Sequence, residues 1–92
     1  MESGCSWDPW KALANERKHG VSFEEAREAL LDPAALTIAD PLHSWIEARF
    51  VCLGRSPRGR LLVVVYADDG DTVRIISARR ATSPERRKYE EA

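Results

Sequence analysis

Six of the ten cationic side chains in residues 49–92 fall between Arg74 and Lys88. Planar guanidinium groups match phosphate oxygens in pairs, so a run this dense suits a polyanion. Arg74, Arg79 and Arg80 lie on one β-patterned segment, and Arg55, Arg58 and Arg60 flank the turn signal Pro57-Arg58-Gly59. Glu85 and Tyr89 follow at helical i, i+4 spacing, which puts a carboxylate and a phenol on one face. In the N-terminal half, Lys11, Asn15 and Lys18 recur at i, i+4 and i+7, and His19 stands four residues after Asn15. An imidazole suits proton transfer near neutral pH. Each feature also has a plain explanation. Loop and edge cations keep sheets soluble, a histidine at a helix C-terminus complements the dipole, and a charged stripe can be an ordinary solvent face. His43, in a predicted exposed turn, is expected to be uninvolved.

The charge is divided along the chain. Residues 1–48 carry a net of −5 and residues 49–92 a net of +4, leaving −1 overall. Such asymmetry points to a polyanion or to a strongly charged protein partner. At 92 residues the chain has room for one domain, 1–92, with a small core. With 43% hydrophobic and 32% charged residues it reads as globular rather than disordered. The longest apolar run, Leu61 to Tyr66, is far short of the roughly 20 residues a membrane-spanning helix needs, so no membrane partner is expected. Residues 1–20 lack the apolar stretch of a secretory leader, so a cytoplasmic location is expected. Cys5 and Cys52 then read as free thiols without metal-ligand spacing. Two histidines and no paired carboxylate motif make a poor ligand set, so neither a metal nor another cofactor is expected and a metal hydrolase is a weak reading.

Helices and strands alternate with clear punctuation. Asp8-Pro9 opens a helix that carries Trp10, Leu13, Ala14 and Arg17 at helical spacing and stops at Gly20. Ser22-Phe23-Glu24-Glu25 reads as a capping box for a second helix to about Leu31, burying Phe23, Ala26 and Leu30, and Asp32-Pro33 ends it. Leu36 to Ala39 is a short strand, with a turn at Asp40-Pro41. Ile46 to Leu53 alternates as a strand, Leu61 to Tyr66 is a central strand covered on both faces, Asp68 to Asp71 is a hairpin turn, and Thr72 to Arg80 is the last strand. Strict alternation puts Arg74, Ile76, Ala78 and Arg80 on one face of it and Val73, Ile75, Ser77 and Arg79 on the other. Thr82 to Glu85 has capping-box spacing and starts a final helix through Tyr89. The expected fold is α+β, two N-terminal helices and a C-terminal helix packed on one side of a small antiparallel sheet. Trp7 and Trp10 are expected to anchor the first helix to the sheet, and Trp45 to be exposed.

Trp7-Asp8-Pro9-Trp10-Lys11, Asn15 and Lys18-His19-Gly20-Val21-Ser22-Phe23-Glu24-Glu25-Ala26 resemble the opening of the BrnT family of bacterial toxins. Leu53-Gly54-Arg55-Ser56, Arg74-Ile75-Ile76-Ser77-Ala78-Arg79, Glu85 and Tyr89 continue the resemblance, which covers about Trp7 to Glu91. It implies a RelE-like fold, RNA cleavage that stops translation, and neutralisation by a BrnA-like antitoxin. That antitoxin would bridge a 2:2 complex as a dimer and bind operator DNA. Metal-free RNA cleavage needs a group to take the ribose 2′-hydroxyl proton, cations for the charge growing on the phosphate, and an acid for the departing 5′-oxygen. Candidate catalytic residues are therefore Arg79 (phosphate clamp), Glu85 (orienting Arg79, acting as base, or only capping its helix), His19 and Tyr89. Tyr89 can equally pack its ring on the sheet. Lys11, Lys18, Arg55, Arg74 and Arg80 are candidate RNA contacts, and Trp45 a candidate antitoxin contact. The alternative function is a non-catalytic module that binds protein or RNA.

Overall fold

The computed structural model describes residues 4–40, 42, 45 and 47–92. The expectations for His43, Pro41 and Ile46 fall outside them. Eight elements follow in order: β1 (Gly4–Ser6), α1 (Pro9–His19), α2 (Phe23–Leu30), β2 (Leu36–Ala39), β3 (Arg49–Arg55), β4 (Leu61–Asp68), β5 (Thr72–Arg80) and α3 (Ser83–Glu91). The strands form one sheet in the order β1-β5-β4-β3-β2. Pairing is antiparallel from β2 through β5, as the run of hairpin turns requires, but β1 joins β5 in parallel. The sheet is therefore mixed, not antiparallel. Gly4-Cys5-Ser6 is too short to show a strand period and becomes one only by pairing with residues 72–74.

The helix boundaries follow their caps. The Asp8 carboxylate accepts from the amides of Trp10 (2.8 Å) and Lys11 (3.3 Å), Pro9 occupies the first turn, and Gly20 ends α1 in the left-handed region at φ 69°. Ser22 Oγ accepts from the Glu25 amide at 3.1 Å. The other half of that capping box does not form. The Glu25 carboxylate reaches across to the β3–β4 turn instead, accepting from Ser56 Oγ (2.7 Å) and Arg60 Nε (2.9 Å). A two-pronged guanidinium offers it far more than one backbone amide.

Phe23, Ala26 and Ala29 of α2, with Val21, pack against Leu62 and Val64 of β4 and Ile75 and Ala78 of β5. Strand β4 is buried along most of its length, as its continuous apolar run predicts. Helix α2 sits so close to β3 that a Cβ on Gly54 would lie 2.3 Å from the Ala29 carbonyl oxygen, so only glycine fits. Trp7 meets Phe23 edge to face at 6.1 Å. Trp10, by contrast, is 79% exposed. Helix α1 does not bury its Trp10/Leu13/Ala14/Arg17 side. It turns Asn15 inward.

That asparagine explains how α1 is held. Strand β5 pairs with β1 only over residues 72–74, so its outer edge is open further on. Asn15 fills the gap like a piece of missing strand. Its Nδ2 donates to the carbonyls of Ala78 (2.8 Å) and Val21 (3.0 Å), and its Oδ1 accepts from the Ala78 amide (3.1 Å). Replacing Asn15 by Ala would strand three buried backbone groups, each costly to leave unpaired. We expect Asn15→Ala to lower unfolding free energy by about 3 kcal/mol, read from urea denaturation, whereas Lys11→Ala on the exposed face changes it little.

Candidate functional site

Cross-strand partners share a sheet face, so the ladder shows where each arginine points. The β4–β5 register runs Leu62–Arg80, Val63–Arg79, Val64–Ala78 and Val65–Ser77, then skips Ile76 and resumes at Tyr66–Ile75 and Ala67–Arg74. This β-bulge adds one residue to β5 and breaks the alternation. Arg79 and Arg74, which strict alternation separates, both share a face with Val63 and Ala67, opposite the helix-packed Leu62 and Val64. Arg80 falls on the helix side with Leu62. On β3, Arg55 pairs with Leu61 and joins the Arg79 face, two strands from β5.

Helix α3 lies on this second face, not beside α1 and α2. The expectation of three helices on one side is corrected by the Arg79–Glu85 contact. Arg79 Nη1 and Nη2 donate to Glu85 Oε1 and Oε2 at 2.9 and 2.8 Å. Glu85 Oε1 also accepts from the Thr82 amide (2.8 Å) and hydroxyl (3.0 Å), so the capping box forms as its spacing predicts. Capping and orienting Arg79 are thus done by one carboxylate. The Arg79 guanidinium first, and the Thr82 donors after it, hold Glu85 far below the usual carboxylate range, at about 2.

One turn further, the Tyr89 hydroxyl donates to Asp32 Oδ2 at 2.5 Å. The Arg55 backbone amide donates to the same oxygen at 2.8 Å, and the Arg55 guanidinium lies 5.3 Å from the Tyr89 ring centroid. The Tyr89 hydrogen bond, with that amide, lowers the Asp32 pKa, and the same bond raises that of Tyr89. Sequence reading used Asp32 only as a helix stop. Its partners stand 23 and 57 residues away, so no local spacing marks it. A cleft of about 360 Å³ opens beside this group, lined by Leu31, Asp32, Pro33, Arg55 and Pro57 among others.

The structure therefore brings Arg79, Glu85, Tyr89 and Arg55 to one end of the second sheet face, and adds Asp32. Arg74 lies towards the other end of that face, where its Nη2 donates to Glu47 at 2.9 and 3.0 Å, alongside Arg49. Glu47 was not singled out from the sequence either. Lys11, Lys18 and His19 ride on α1 at the outer edge of β5. No hydrogen bond or ion pair among the described residues joins them to the Arg79 group, and Arg80 meets it only through its backbone carbonyl, which accepts from Arg79 Nη1 at 3.3 Å. Asn15, placed by spacing in the same polar stripe, is buried. Trp45 is 82% exposed, as expected. A larger cavity, about 730 Å³, lies on the helix side between α2 and the sheet, lined by Cys5, Arg27, Leu31, Cys52 and Tyr66 among others, and contains none of these candidates. No group of three or more histidine, cysteine, aspartate or glutamate side chains placed to hold a metal ion occurs among the described residues. No helix among them is long and apolar enough to cross a membrane.

A cation-bearing sheet face opposite two helices and covered at one end by a third defines the class of α+β fold. The same fold occurs in the crystal structure of the Brucella abortus ribonuclease toxin, BrnT, with a TM-score of 0.69 over 88% of this chain and 99% of that one, at 21% identity. The family described as the ribonuclease toxin, BrnT, of type II toxin-antitoxin systems matches residues 7–85, and the chain belongs to that family. A search of curated proteins finds no match.

The Glu85 interaction has a pH signature. Its folded pKa lies below its unfolded one, so the stabilisation is complete above the ordinary carboxylate range and is lost as pH falls towards about 2. We expect stability to drop between pH 4.5 and 2. Glu85→Gln, which keeps the capping box, should make that drop shallower without abolishing it, because Glu25 and Asp32 are also lowered by their donors. Denaturation midpoints at pH 5 and pH 3 measure the difference.

Proposed function

We propose that this chain, acting as a single toxin domain, cleaves RNA without a metal at the Arg79 end of its cation-bearing sheet face. The observation that supports this most is the convergence of Arg79, Arg55, Glu85 and Tyr89, drawn from two strands and a helix, on one side of the sheet. In the reaction the ribose 2′-oxygen attacks the adjacent phosphorus and the bond to the 5′-oxygen breaks. The 2′-hydroxyl loses its proton and the 5′-oxygen gains one. Charge builds on the phosphate, and Arg79 and Arg55 stabilise it. Glu85 orients Arg79. With its pKa held near 2 it is too weak a base to serve well near neutral pH. Tyr89 contacts the ribose side of the linkage. Arg74 holds the strand further along, and Lys11, Lys18 and Arg80 steer RNA from the surrounding surface. His19, at the edge of β5, remains a candidate proton carrier for substrate that wraps that edge.

The matched family is described as a ribonuclease toxin of type II toxin-antitoxin systems, which implies an RNA target and an antitoxin, and the same is read here. The proposed partner is a BrnA-like protein that bridges two copies in a 2:2 complex and binds operator DNA, in the cytoplasm. Exposed Trp45 is a proposed contact for it.

One feature favours the competing reading of RNA binding without cleavage. Both carboxylates at the Arg79 end, Glu85 and Asp32, have pKa values lowered by their donors, which leaves neither poised as a strong base. Cleavage itself decides. Purified protein is expected to cut RNA in the presence of EDTA, and its expression to arrest growth unless an antitoxin is co-expressed. Arg79→Ala should lower the cleavage rate by about a hundredfold or more, with RNA affinity falling less. Intact RNA under all conditions, together with salt-dependent binding, would leave the binding module as the answer.

A further inference from the structure

The Tyr89 hydroxyl has one hydrogen, and that hydrogen is committed. It points at Asp32 Oδ2, which also accepts from the Arg55 amide, while Asp32 Oδ1 accepts from the Ala34 amide at 2.9 Å. Asp32 is thus fixed by backbone donors on two sides. It presents a charged oxygen to the phenol, and charged acceptors make the stronger bonds. Tyr89 is left with oxygen lone pairs, so it can meet an incoming group only as an acceptor. The chemistry recognised by such an oxygen is a hydroxyl or N–H, not a phosphate oxygen. The neighbouring cleft is lined by Glu28, Asp32, Arg55 and Ser56 and by the apolar Leu31, Pro33 and Pro57, with Tyr89 outside it beyond Asp32. The Arg55 guanidinium over the Tyr89 ring places a cation for a phosphate beside a sugar that meets the phenol oxygen.

We propose that Asp32 is a positioning and specificity-determining residue, which by holding the Tyr89 hydrogen makes Tyr89 an acceptor for the 2′-hydroxyl of a ribose whose phosphate lies at the arginines of the Arg79 site. The inference rests on the ribonuclease reading of the Arg79 site and goes beyond it by naming the group that tells RNA from DNA there. The 2′-hydroxyl is the one donor that separates the two sugars. Arg55 links the halves of the site, with its amide on Asp32 and its guanidinium over the Tyr89 ring, so the sugar and phosphate positions are set together.

The test uses nucleotides that cannot be cleaved. A ribonucleoside 3′-phosphate and its 2′-deoxy counterpart are titrated into the full chain by NMR, into wild type, Asp32→Ala, Tyr89→Phe and the double variant. Wild type is expected to favour the ribo form by about five- to tenfold. Tyr89→Phe and Asp32→Ala should each bring the ratio to about one, and the double variant should change it no further. An Asp32 that merely braces α3 would weaken both nucleotides equally and leave the ratio intact, which overturns the proposal. Tyr89→Phe keeps the ring and its helix, so the ratio is readable even if Asp32→Ala folds poorly, and a preference that survives in it also overturns the proposal. Arg79→Ala separates this failure from that of the site itself. Two nucleotides that bind wild type equally, and weaken together in Arg79→Ala, sink the Asp32 inference alone. Failure of either nucleotide to bind wild type, or binding indifferent to Arg79→Ala, sinks the site and the inference with it.

Discussion

One extra residue in β5 determines how the molecule can work. With regular alternation from Thr72 to Arg80, Arg74 and Arg79 would face opposite sides of the sheet. The bulge at Ile76 puts both on the side away from α1 and α2 while leaving Ile75 and Ala78 in the core. The strand is held in this register from both flanks, by seven paired residues of β4 on one side and by Asn15 on Ala78 on the other. Ala78 immediately precedes Arg79, so the clamp that fixes the edge of the sheet also fixes the base of the Arg79 side chain. A polar residue nearly sealed from water does this because backbone groups left open inside the fold are costly.

The last helix stands in contrast to this rigid frame. None of its residues is buried. It is attached through polar and aromatic contacts: Glu85 to Arg79, Tyr89 to Asp32, and the Arg55 guanidinium over a ring. Such contacts are partly exposed and individually modest. Two arginines, Arg79 and Arg55, are the groups to which the helix is tied. Any anion that reached Arg79 would compete with Glu85 for it, so binding there and holding α3 in place would draw on the same guanidinium.

Much of this was readable from residue types. Asp8-Pro9, Ser22 and Thr82 mark helix starts because a side-chain oxygen must meet free amides there, and that requirement is local. Leu61 to Tyr66 announces a strand buried on both faces for an equally local reason. Arg79, Glu85 and Tyr89 were found because the i, i+4 spacing and the strand end lie close together in sequence. What was missed depends on distant partners. Asp32 read only as a helix stop and Glu47 was not singled out, since their arginines and tyrosine come from other elements. Asn15 fitted a polar stripe, yet the open edge of β5 called it inward and turned Trp10 out. The bulge has no glycine to signal it, and β1 has no period at all. The resemblance supplied the family and its chemistry, and composition supplied only the charge asymmetry that agrees with them.

The parallel pairing of Gly4–Ser6 with residues 72–74 carries a consequence for folding. Strand β1 docks beside the strand furthest from it in sequence, and Asn15 likewise waits for Ala78. Contacts this distant in sequence form late and slow folding. The register of β5 that sets the direction of Arg79 is therefore completed only when these separated segments meet.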